Sequence, residues 1–151
     1  MSAWLDRFRR WNRRDYITLC ESFVVALIVE IALRLVSLST ILRAIDSVFR
    51  SPRHADPVAF DFARLARFAA APYRLFSLQG TCLRESLVLS VLLHRRGVRA
   101  AVRIGVRRAD GPAWSSCPSW PGLTAHAWVD IPGVRLDAGM PFHELRGAWS
   151  D

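Results

Sequence analysis

The feature that most constrains this fold is a change of period at a single glycine. In CLRESLVLSVLLHRR, residues 82–96, Leu83, Leu87, Val88, Val91 and Leu92 trace one apolar helical stripe, while Arg84, Glu85 and Ser86 lie off it. Gly97 follows His94, Arg95 and Arg96, the pairing of a cationic last turn with a glycine that ends helices. Beyond it Val98, Ala100, Val102, Ile104 and Val106 alternate with Arg99, Ala101, Arg103, Gly105 and Arg107, which predicts a strand with one buried and one wet face. A cysteine, Cys82, stands in the first turn of the helix.

Helices precede this block. The spacing predicts helix from Asp15 to about Phe49, broken near Ser37 to Thr40, and a second run from Val58 to Ala71 that ends before Pro72 and presents Phe62, Leu65, Ala66 and Ala69 on one face. Pro52 and Pro57 mark SPRHADP as a connector. Residues 108–123, with Pro112, Pro118 and Pro121, read as a long loop. In TAHAWVDIPGVRLDAG, residues 124–139, Pro132 and Gly133 suit the centre of a turn, giving a hairpin with Ile131 opposite Val134. The order of helices, cysteine helix and strands predicts an α+β fold: a helical N-terminal region over 1–72 for docking or support, and a core over 73–151 with the helix on an antiparallel sheet, together one compact unit.

Charge and hydropathy narrow the function classes. The net charge is +8 from 21 basic and 13 acidic residues, and every basic residue is arginine. Arginine grips carboxylates and phosphates in a fork, yet the arginines run from Arg7 to Arg146 with no dense tract, so no nucleic-acid partner is expected. Three cysteines, no apolar leader in the first 20 residues, and no CxxC or HExxH spacing predict a reducing cytoplasm, with no metal and no cofactor. The most apolar window, residues 23–38, is interrupted by Glu30 and Arg34, whose i,i+4 spacing suggests a mutual ion pair on a buried or partner-facing helix, with peripheral membrane association as the other option. Cys20 is expected in the core, Cys117 in a loop, and His54, His94 and His143 in solvated or capping roles.

A thiol at a helix start meets unsatisfied backbone N–H groups and the positive end of the helix dipole, both of which favour thiolate. A nucleophile of this kind needs a base that can take its proton and return it to a leaving group. The hairpin parity supplies one. His126, Trp128, Asp130, Arg135 and Asp137 share one face, and Ala125, Ala127, Val129, Val134 and Leu136 the other. Asp130 is four residues along the strand from His126, roughly 13 Å and too far for a direct hydrogen bond. Asp137 lies diagonally across the hairpin at about 7 to 8 Å between backbones, within side-chain reach. Cys82 therefore reads as nucleophile, His126 as base then acid, and Asp137 as the group that fixes the imidazole tautomer.

CLRESLVLSVLLHRRGVRAAVRIGVRR followed by AHAWVDIPGVRLDAG resembles the papain/transglutaminase-like cysteine protease core, and most closely the B2-type leader peptidases of lasso peptide biosynthesis, over about residues 75–140. The family triad of Cys, the His of AHAW and an Asp on the following strand transfers to Cys82, His126 and Asp137. The resemblance implies leader removal from a ribosomally made precursor peptide, freeing an amine for an ATP-dependent macrolactam cyclase. It also implies a separate small leader-binding protein (a recognition element), because residues 1–71 read as helices only. The oxyanion of the tetrahedral intermediate needs donors; the Cys82 backbone N–H is one candidate and the Gln79 side chain another, with an ordinary loop role for Gln79 equally open. Trp114, Trp120 and Trp128 are candidates for the substrate groove, against packing on the body. Two alternatives remain open: acyl transfer to an amine with the same triad, and a peptide-binding scaffold without turnover.

Overall fold

The computed structural model describes residues 12–49, 61–76, 82–108, 119–120, 123–131 and 134–135. Among the described residues four helices precede a small sheet: α1 (Arg13–Leu35), α2 (Leu38–Val48), α3 (Phe62–Leu75) and α4 (Cys82–Arg95), then β1 (Ala101–Arg108), β2 (Ser119–Trp120), β3 (Leu123–Ile131) and β4 (Val134–Arg135). The α+β class expected from the sequence is the class observed.

α4 is the centre of the molecule. Leu87, Val88, Leu92 and Leu93 have no exposed surface, and Ser86, Leu89 and Ser90 are buried as well. Ser86, expected off the apolar stripe, is buried because the helix is covered on several sides: α1 and α3 pack on it from one direction, β3 and β1 from another. One apolar cluster accordingly joins Val25 and Val29 of α1, Ile41 of α2, Leu65 and Tyr73 of α3, the α4 leucines, and Val129 and Ile131 of β3.

The glycine switch has the geometry its sequence suggests. Gly97 adopts φ 79°, a left-handed value that a side chain disfavours. The Gly97 N–H donates to the His94 carbonyl at 2.9 Å and the Val98 N–H to that of Leu93 at 3.0 Å, closing the helix end. The chain then reverses into β1, and the Ser90 hydroxyl donates to the Ala100 carbonyl at 3.5 Å.

β3 is the central strand. β1 pairs along its length antiparallel, from Ala101 opposite Asp130 to Arg108 opposite Leu123. β2 and β4 share its other edge at opposite ends, with Trp120 opposite Leu123 and Ile131 opposite Val134. The β3–β4 register is the one the Pro132-Gly133 turn predicts. Val98, Ala100, Ala127 and Val129 are buried as the alternation requires, whereas Ile104 is 39% exposed and Gly105 is buried, the reverse of the expected assignment at that end of β1.

Other departures have physical causes. α3 begins at Phe62, where the Asp61 carboxylate accepts from the Arg64 N–H at 2.9 Å, and runs through Pro72 to Leu75. Proline there forfeits one backbone hydrogen bond a turn from the helix end, and burial of Pro72 and Tyr73 outweighs that loss. The break between α1 and α2 falls at Val36 and Ser37, with Ser37 capping α2 through the Thr40 N–H. Cys20 is exposed rather than in the core. Glu30 pairs with Arg84 of α4 at 2.6 Å instead of with Arg34, which is exposed.

Shortening Leu92 to alanine removes a fully buried side chain from the central helix, and urea unfolding of Leu92→Ala should show a loss of about 3 kcal/mol.

Candidate active site

Cys82 is the first residue of α4 and is half-buried, so its thiol stands where the first-turn N–H groups lack intrahelical partners. His126 lies on β3, the strand on which α4 packs most extensively. The two residues thus belong to neighbouring elements of one packed unit. His126 and Trp128 are half-buried on one face of β3 while Ala127 and Val129 are buried on the other, the alternation read from the sequence.

Three observations refine the His126 face. The Trp128 ring stacks beside the imidazole, with centroids 6.3 Å apart and planes at 15°. Gly105 stands directly opposite His126 on β1, so no side chain occupies the position across from the imidazole. Asp130 forms an ion pair with Arg103 at 3.6 Å, which commits that carboxylate to a cross-strand partner two positions from the histidine. Gly105 was visible in the sequence only as one polar-face residue of β1; its place became meaningful once the β1–β3 register was known.

A charged cluster adjoins the start of α4. Arg84 pairs with Glu30 of α1, and the Tyr73 phenol of α3 is buried with no hydrogen-bond partner among the described residues. Burial, reinforced by the Glu30 carboxylate, pushes the Tyr73 phenol well above its ordinary range. Sequence reasoning missed this cluster because its members come from three helices far apart in the chain.

The remaining predicted positions are less informative. Trp120 lies in β2 opposite Leu123. Asp137, Gln79 and Trp114 lie outside the described residues, as do Cys117, His54 and His143. His94 is tied to its own helix, with Nδ1 2.8 Å from the Ser90 carbonyl and its ring against Phe49. Among the described residues no group of three His, Cys, Asp or Glu side chains is placed to hold a metal ion.

A cysteine thus opens a central helix that packs on an antiparallel sheet whose middle strand carries a histidine. The family model of the transglutaminase-like superfamily matches residues 25–145, most of the chain, and the protein belongs to that superfamily. Membership supports chemistry of the peptidase or acyltransferase type. Comparison with curated proteins finds no match, and comparison with solved structures finds none either.

Tyr73→Phe removes a buried hydroxyl that has no hydrogen-bond partner among the described residues, so stability near neutral pH should stay within about 1 kcal/mol of the parent or rise. The pH dependence has a definite sign. Unfolding exposes a phenol that ionises near about pH 10, whereas the folded protein keeps it protonated, so stability is retained below that pH and falls as the pH rises beyond it. Thermal melts from about pH 9 to 11 should fall less steeply for Tyr73→Phe than for the parent.

Proposed function

We propose that the protein is a cysteine peptidase that removes the leader from a ribosomally made lasso precursor peptide, with Cys82 as nucleophile, His126 as acid and base, and Asp137 as the orienting carboxylate. The observation that carries this reading is the placement of Cys82 at the head of α4 and of His126 on β3, the strand α4 packs against. Superfamily membership supports the reaction type. The resemblance of AHAWV and the Cys82 block to leader peptidases supports the substrate.

In this reading the Cys82 thiolate attacks the scissile carbonyl, and the resulting oxyanion is met by the Cys82 backbone N–H and, on the side-chain option, by Gln79. Collapse of the intermediate breaks the C–N bond, and His126 gives its proton to the departing amine. Water, losing a proton to His126, then hydrolyses the thioester and restores the thiol. Asp137, which the sequence pattern puts on the His126 side of the hairpin, would select the tautomer with the lone pair toward sulfur. Asp130 is not given this role because Arg103 engages it. Trp128, stacked beside the imidazole, would limit water access to it. Gly105, opposite His126, puts no side chain beside the imidazole on that strand. A separate leader-binding protein would present the precursor, and the cyclase would consume the freed core.

Mass spectrometry of a lasso precursor incubated with the protein and its leader-binding partner tests the proposal. A single cut at the leader–core junction is expected, abolished in Cys82→Ala and reduced by a factor on the order of 10³ or more in His126→Ala. Asp137→Asn should lower the rate while leaving thiol alkylation at Cys82 measurable. Transfer of the acyl group to an added amine would move the assignment to acyltransferase, and an uncut peptide that still binds would move it to a scaffold.

A further inference from the structure

We propose that the outward face of α1 docks the protein on an anionic lipid surface. Ile17, Val24, Leu27, Ile28, Ile31 and Leu35 are between 49% and 76% exposed. At 100° per residue they fall within a sector of about 100°, forming a stripe about 27 Å long. The opposite face, with Ser22, Val25, Ala26 and Val29, is buried against α3 and α4. A helix apolar on both sides has one side committed to the core and the other open.

The charges on α1 are sorted in the same way. All three of its acidic residues face the body and are neutralised there: Asp15 by Arg64, Glu21 by Arg95 and Arg96, and Glu30 by Arg84. Its own arginines, Arg13 and Arg14 at the start and Arg34 near the end, are exposed. The apolar stripe is therefore bracketed by positive charge with no acidic residue of α1 left to oppose it.

This arrangement selects the occupant. α1 contains an 18-residue window of mean hydropathy 2.0, long and apolar enough to cross a bilayer. The ion pairs at Asp15, Glu21 and Glu30 hold it against the body along its length, so it lies on a lipid surface rather than spanning one. A second copy is a poorer fit. Apposing two stripes antiparallel brings Arg13 toward Arg34, and apposing them in parallel brings each arginine toward its own counterpart. Anionic headgroups instead meet both ends of the stripe favourably, and the net charge of +8 acts in the same direction.

Vesicle flotation of the full chain tests this. With phosphatidylcholine vesicles containing about 30 mol% phosphatidylglycerol the protein should float, and with phosphatidylcholine alone it should remain below. The double variant Leu27→Ser/Ile31→Ser should partition roughly tenfold less or worse, with its far-UV circular dichroism and melting temperature preserved because both positions are exposed. Arg13→Gln/Arg34→Gln should bind more weakly and with less sensitivity to salt. Failure to float with anionic vesicles would overturn the proposal, as would unchanged flotation of the serine variant. Self-association in sedimentation that the serine substitutions abolish, without flotation of the parent, would assign the face to a second copy. None of these readouts depends on peptidase activity.

Discussion

Burial of α4 is the constraint from which the rest of the architecture follows. Its leucines and valines on several sides have no contact with water, so the helix needs cover from more than one layer: α1 and α3 on one side, β1 and β3 on the other. Cys82 stands at the N-terminus of this enclosed helix, where the first-turn N–H groups lack intrahelical partners. The sheet follows the same helix: β3 is its central strand and packs on α4, with Gly105 of β1 opposite His126 and the β2 and β4 pairings at the two ends of its other edge.

Charge is used sparingly and at defined places. α1 and α4 run antiparallel, and arginine–glutamate pairs join them near both ends: Glu30 with Arg84 beside the start of α4, and Glu21 with Arg95 and Arg96 at its close. Arg96 also donates to the Leu92 carbonyl at 2.8 Å and to the Thr18 hydroxyl at 3.1 Å, uniting the helix end with its neighbour. A fork of donors in a fixed plane suits such shared contacts better than an ammonium group would. The absence of lysine in the sequence thus has a structural use at several of these positions, whatever its origin.

The sequence was most legible where a pattern is local. Gly97 ending a helix, the alternation of β3, and the register across Pro132 and Gly133 each depend on residues within a few positions of one another, and each is found as read. Partners set by tertiary packing were not legible. Glu30 has an arginine four residues away and another fifty-four away, and only the packing of α1 on α4 decides for the distant Arg84. Pro72 suggested a helix end, but burial of Tyr73 beyond it carried α3 onward. Of the site, Cys82 and His126 could be singled out by residue type and position, while Gly105 and the Arg103–Asp130 pair needed the pairing of two strands that are not adjacent in sequence.

The ion pairs of α1 also impose an order on the making of the protein. Their partners lie 49 to 75 residues further along the chain where the separation is marked by Asp15–Arg64 and Glu21–Arg96. While a ribosome has released only the first sixty or so residues, α1 is an apolar cylinder with both sides bare and three carboxylates unanswered. In that interval it has the length and hydropathy of a membrane-inserting segment. Only when Arg64, then Arg84, then Arg95 and Arg96 have been made can the ion pairs hold one side of α1 against α3 and α4.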